Sequence, residues 1–235
     1  MDTHLHHEHI ESHLRSSQFL TDIVIGMSDG LTVPFALAAG LSGAVESSRI
    51  IVIAGIAEIA AGSIAMGLGG YLAGRTEQDH YRSERRREYD EIEKLHHREI
   101  EETKEFFASL GLSEQVQNQA TLEISKDKDR WVDFMMKYEL GLEEPDPRRA
   151  TKSALNIGLA YVVGGIIPLS PYFFIDESAT ALKYSMVATL ICLFIFGYFK
   201  SKFTGVHPLS GAVKVMTIGA AAAAAAFAVA RLFEI

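Results

Sequence analysis

The sequence predicts an all-α integral membrane protein, with five transmembrane helices and a cytosolic three-helix insertion between the second and the third. Two observations carry this reading. Five apolar stretches, at residues 23–45, 50–73, 154–174, 181–199 and about 209–230, each approach or exceed the ~18–20 residues that cross a ~30 Å hydrocarbon core. Charge is concentrated between the second and third of them. Residues 75–149 hold 20 of the 30 Asp and Glu and 14 of the 22 Lys and Arg, so −6 of the net charge of −8 lies there.

Residues 1–18, with His4, His6, His7, His9 and His13, read as a His-rich tail that collects metal at most loosely. The tail is acidic where a secretory signal would be basic, so the first span is expected to be retained. That span, IVIGMSDGLTVPFALAAGLSGAV, carries Asp29, with Gly30 beside it and Pro34 about a turn later. A charge at mid-membrane costs at least ~2.5–3.5 kcal/mol, so Asp29 needs a physical reason. Pro34 lacks an N–H and is expected to loosen the helix there. The second span carries Glu58 and, about two turns on, Met66. Asp22 lies two turns before Asp29, where it would stand at an entrance.

No Lys or Arg lies deep enough in a span to neutralise these carboxylates, because Arg49 and Lys183 sit near ends and can snorkel. Unpaired carboxylates and a thioether at low dielectric describe a cation path through Asp22, Asp29, Glu58 and Met66. Gly55, Gly62, Gly67, Gly69, Gly70 and Gly74 make the second span thin-walled, which points to a homodimer with the path on its two-fold axis. The plainer alternative is that these glycines pack helices within one chain. Gly164, Gly165 and Pro168 are expected to bend the third span, and the alanines of residues 220–226 read as packing material. Arg75, Arg82, Arg85, Arg86, Arg87, Arg148, Arg149 and Lys152 flank the insertion, and Lys200 and Lys202 follow span four. Such a basic bias puts the insertion and the N-terminus in the cytosol and the C-terminus across the membrane.

Between Gly74 and Gly111 there is neither Gly nor Pro. The expected structure is one helix running out of the membrane to about Leu110, stopped by Gly111, with Ser113 capping a second helix and a third over about residues 128–142. On the long helix Glu88, Glu91, Glu99 and Glu102 recur at spacings of three, eight and three, along one stripe with Leu95. Like charges so placed repel by roughly a few tenths of a kcal/mol per pair unless they share a cation. The third helix adds Met135, Met136 and Glu139. Adjacent Met residues are not expected to face one core together, which frees one of them. An acidic stripe laced with arginines is ordinarily a solvated face. Joined with thioethers, carboxylates at i,i+3 spacing suit a late divalent metal.

The stretches SDGLTVPFALAAGLSGA, AGSIAMGLGGYLAGRTEQDHY, FMMKYELGLEEPDPRRA and GGIIPLSPY resemble those of the plant-type vacuolar iron transporters. The resemblance implies a homodimer in the vacuolar membrane, with a lumenal C-terminus. It implies a secondary transporter rather than an enzyme, moving Fe²⁺ from cytosol to vacuole in exchange for protons. It further implies that Asp29 and Met66 line the translocation site with Glu58 nearby. Glu88, Glu91, Glu99, Glu102, Met135, Met136 and Glu139 would form a cytosolic metal site. Other divalent ions, Zn²⁺, Co²⁺ and Mn²⁺, are expected to bind, and no nucleic-acid partner is expected. One departure is visible, since more distant nodulin-like and microbial members often carry Glu where this chain has Gly70. A membrane-anchored ferroxidase or a metal sensor could use the same cytosolic carboxylates, but neither would need Asp29, Glu58 and Met66 inside the membrane.

Overall fold

The computed structural model describes the backbone of residues 5–232 and the side chains of residues 18–232, so the histidine tail's side chains lie outside it. Among the described residues the regular elements are helical. They are α1 (Leu5–Ala44), α2 (Ser48–Lys94), α3 (His96–Ser109), α4 (Glu114–Ile124), α5 (Lys128–Phe134), α6 (Arg149–Leu169), α7 (Ser178–Phe203) and α8 (Pro208–Leu232). A π-helical turn, Met135–Glu139, follows α5, and a 3₁₀ turn, Ser170–Phe173, follows α6. Five helical segments are long and apolar enough to cross a membrane: Gln18–Ala44, Ser48–Lys94, Arg149–Phe173, Ser178–Phe203 and Pro208–Leu232. The all-α membrane class holds. The chain divides into two compact units, one of Met1–Tyr71 with Thr151–Ile235 and one of Leu72–Ala150, and α2 supplies residues to both.

In the first unit, α1 and α2 approach α6 through missing side chains. A Cβ on Gly30 would stand 2.9 Å from the Tyr161 Cα, and one on Gly164 would stand 2.9 Å from the Leu31 amide nitrogen. Gly55 lies against Leu169, Gly62 against the Tyr161 ring, Gly67 against Ala154 and Gly70 against Ile157 and Ser153. Gly55, Gly62, Gly67 and Gly70 of span two are therefore filled from within the chain, as the plainer alternative expects. Gly69 differs, with nothing within 4 Å of a Cβ built on it. At Gly70 a Cβ would meet the Ile157 Cδ1 at 2.7 Å and the Ser153 hydroxyl at 2.9 Å, so a glutamate there would require these side chains to shift.

Pro34 and Pro168 both lie inside their helices, which continue through them. Pro34 is braced, its ring facing the space left by Gly165, and the Pro168 carbonyl accepts a hydrogen bond of 2.6 Å from the Ser185 hydroxyl of α7. The turns that join α1 to α2 and α6 to α7 pair through an antiparallel bridge between Ser47 and Glu177. The amide of Ser48 donates to the Asp176 carbonyl and that of Ser178 to the Glu46 carbonyl, both at 3.1 Å.

In the second unit the long helix breaks once. α2 ends at Lys94, Leu95 leaves helical geometry at φ −125° and ψ 28°, and α3 resumes at His96. The break sets the His96 ring edge-on to Trp131, with centroids 5.3 Å apart, and turns Glu99, Thr103 and Phe107 inward. The indole of Trp131 donates to the Thr103 hydroxyl at 2.8 Å, and that hydroxyl donates to the Glu99 carbonyl at 2.7 Å. Leu95 itself is exposed, off the stripe on which its spacing put it.

Gly111 has φ +79° and ends α3 as expected. Ser113 stands at the start of α4 without making a capping bond, while Asp127 caps α5 by accepting from the amides of Asp129 and Arg130. The third helix is shorter than its pattern, because α5 gives way at Met135 to the π turn, closed by a 3.1 Å bond from the Leu140 amide to the Met135 carbonyl. The wider turn swings consecutive residues toward one side. Met135 and Met136 are accordingly both buried in one cluster with Ile92, Trp131 and Val132, and neither is left free of it.

The packing of α1 on α6 makes a direct prediction. Gly164→Ala forces backbone apart and should destabilise the fold by about 1–3 kcal/mol, the usual cost of overpacking. Gly69→Ala, in open space, should leave the melting temperature of the detergent-solubilised protein unchanged. Equal midpoints for the two variants would refute the assignment of α6 as the helix on which α1 closes.

Candidate functional site

Three carboxylates lie within the membrane-crossing helices of the first unit, Asp22, Asp29 and Glu58, and each is treated differently. Asp22 is buried, and it accepts from the Ser153 hydroxyl at 3.0 Å and the Asn156 amide at 3.2 Å, both on α6. It is held between helices. Asp29, partly buried on α1, makes no hydrogen bond or ion pair among the described residues. Pro34 has no N–H to offer the Gly30 carbonyl next to it, so a backbone acceptor is left over beside this carboxylate. Glu58 on α2 accepts from the Tyr161 hydroxyl through Oε1, while Oε2 is buried without a partner. Met66, two turns further along α2, is partly buried.

Tyr161 draws these elements together. Its backbone lies against Gly30, its ring lies in the space left by Gly62, and its hydroxyl reaches Glu58. Sequence reasoning passed over Tyr161, Ser153 and Asn156. The available signal was their polarity in an otherwise apolar third span, on the helix that faces both acidic spans.

In the second unit the glutamates divide into an inner and an outer pair. Glu91 accepts from Arg87 at 3.1 Å and Glu102 from Arg98 at 2.8 Å, each four residues apart on one helix and half-exposed. Glu88 and Glu99 are buried, at 4% and 2% exposure, and one oxygen of each lacks any hydrogen-bond partner. Burial in the first place, and the surrounding glutamates in the second, push both up to about 7. For Glu88 the neighbours are Glu139, Glu99 and Glu91, and for Glu99 they are Glu102, Glu91 and Glu139. Glu139, on the π turn, is raised by desolvation and then by Glu102 and Glu91.

Beneath the inner pair the Met135 sulfur lies 3.4 Å from the Thr103 hydroxyl. Arg85 with Asp133 at 2.9 Å, Tyr89 with Asp129 at 2.6 Å, and Lys128 with Glu93 tie α2 to α5 around this cluster. The carboxylates feel one another, but among the described residues no three His, Cys, Asp or Glu side chains converge tightly enough to enclose a metal ion.

A family model described as the VIT family matches residues 20–231. The chain belongs to the VIT family. Its relatives there include Vacuolar iron transporter 1 of Tulipa gesneriana, 52% identical over 97% of this chain and 92% of that one. Vacuolar iron transporter 1 of Arabidopsis thaliana is 51% identical over 96% of this chain and 90% of its own length. The similarity extends to Protein CCC1 of Saccharomyces cerevisiae, at 37% identity over 88% of this chain and 67% of that protein. The family match takes in every membrane carboxylate described above and the whole glutamate cluster.

The inner pair makes a pH prediction for this VIT-family chain. Glu88 and Glu99 hold protons up to about pH 7 when folded, whereas an unfolded carboxylate releases its proton near 4.5. The folded unit thus binds more protons between these values, so its stability is greatest below the lower one and is lost as pH rises through the upper one. Trp131, the chain's single tryptophan, is buried in this unit and reports its melting. With metal chelated, the fluorescence midpoint should fall from about pH 5 to about pH 8, and Glu88→Gln with Glu99→Gln should flatten the fall. A midpoint that rises over this range would contradict the desolvation of the pair.

Proposed function

We propose that this protein carries ferrous iron from the cytosol across the vacuolar membrane into the vacuole and returns protons in exchange. The observation that carries the reading is the pair of membrane carboxylates left without a countercharge, Asp29 and the Oε2 side of Glu58, in a chain 52% identical to a vacuolar iron transporter. A carboxylate inside a bilayer is tolerated where it meets a cation or a proton. Asp29 and Met66 supply a hard and a soft donor for a divalent transition ion, and Glu58, steadied by Tyr161, takes or gives a proton as the ion passes.

On this reading Glu88, Glu91, Glu99, Glu102 and Glu139, with Met135 and Met136, collect the metal on the cytosolic side. Ion entry displaces protons from the inner pair and draws the open cluster together. Zn²⁺, Co²⁺ and Mn²⁺ would bind the same donors. The insertion and the N-terminus face the cytosol and the C-terminus the lumen. A second copy covers the outer face of α2, where Ile53, Ile56, Ile64 and Leu68 are exposed. That arrangement turns Asp29 toward its mate across the two-fold axis.

The test is anaerobic Fe²⁺ uptake into proteoliposomes, with and without an imposed pH gradient. Uptake should rise when the receiving side is acidic, and Asp29→Ala or Met66→Ala should each reduce it to the protein-free leak while the protein remains monodisperse. Uptake indifferent to the gradient would remove the exchange. Normal uptake by Asp29→Ala would remove the path.

A further inference from the structure

A groove of about 770 Å³ runs between the start of the apolar part of α1 and the end of α7. Its walls are apolar, formed by Phe19, Val24, Ile25 and Phe203, and its polar end is formed by Lys200 and Thr204. Among the described residues no acidic side chain lines it. Phe19 and Phe203 are 54% and 68% exposed, at the levels where α1 enters and α7 leaves its apolar run. The Thr204 hydroxyl is spent on the Lys200 carbonyl at 3.1 Å, closing the end of α7. Lys200 makes no ion pair among the described residues.

Lysines at a helix C-terminus are ordinarily explained by the macrodipole, and Lys202, one residue beyond Ser201, has that explanation and no other. Lys200 differs because it caps an apolar trough at the membrane boundary. A trough of this kind accepts an acyl chain, and an ammonium at its mouth selects the charge of what the chain is attached to. A zwitterionic lipid fills the trough, but its own ammonium offsets its phosphate, whereas an anionic headgroup brings the lysine a net negative charge.

We infer that this groove is a binding site for an anionic glycerophospholipid, with one acyl chain between α1 and α7 and the net-negative headgroup against Lys200. The inference rests on the membrane fold alone and is independent of what the protein transports.

Native mass spectrometry of the full-length, delipidated protein tests it, with phosphatidylserine and phosphatidylcholine of matched chains as probes. Phosphatidylserine should be retained at an about five-fold lower concentration than phosphatidylcholine, the size expected of one lysine beside an anionic headgroup. Lys200→Gln should abolish that preference, Lys200→Arg should keep it, and Lys202→Gln should leave it intact. Ile25→Trp, which fills the trough, should weaken retention of both lipids. Excess inorganic phosphate should not displace bound phosphatidylserine. Three results would overturn the site: no preference in the wild type, equal losses for Lys200→Gln and Lys202→Gln, or displacement of the lipid by phosphate, which would mark a cation without a trough.

Discussion

A carboxylate taken out of water needs a proton, a cation or a set of donors, and both units of this chain are organised around carboxylates that the chain itself leaves short of these. In the membrane unit Asp22 has donors from α6, Glu58 has one for a single oxygen, and Asp29 has none among the described residues. The insertion repeats the gradient. Glu91 and Glu102 hold arginines of their own helices, while Glu88 and Glu99, deeper by one helical face, do not. Because Arg87 and Arg98 are engaged at the surface, they lower the inner carboxylates only weakly against burial and three neighbouring acids each. Sites arranged this way are stable with protons aboard and gain most from a divalent ion.

The membrane packing follows from the same need. To bring a hydroxyl to Glu58, Tyr161 must sit where α1 and α2 both close on α6, and a tyrosine fits there only if neighbours give up their Cβ atoms. Gly30 yields to its backbone and Gly62 to its ring. Gly55, Gly62, Gly67 and Gly70 of α2 are thus explained by their packing on α6. In the insertion the corresponding device is a distortion. The break at Leu95 and the π turn at Met135 each cost regular helix, and together they bury Glu99, Thr103 and both methionines around Trp131. π-helical turns are often found where side chains must be re-aimed for function.

The spans, the charged insertion and the stop at Gly111 were legible in the sequence because length, composition and the backbone freedom of glycine are local properties. The glutamates were legible too, as an acidic set at helical spacing. Their division into inner and outer pairs was not, since an unbroken helix would have put all four on one stripe. The break goes with a tertiary contact between His96 and Trp131, residues 35 positions apart in the chain, which no local pattern records. The burial of both methionines was hidden for a related reason, because period-3.6 reasoning cannot anticipate a π turn. Tyr161 was missed because its meaning depends on which helix it faces, and no spacing within α6 records that.

The central claim is that the buried glutamates hold protons in place of a metal. Isothermal calorimetry of the full-length protein with Fe²⁺, under anaerobic conditions near pH 6 and in two buffers of different ionisation enthalpy, counts the protons released as metal binds. The account predicts net proton release with the wild type, reduced near pH 8, and largely lost in Glu88→Gln with Glu99→Gln. Fe²⁺ binding without proton release, or release unchanged in that variant, would contradict it.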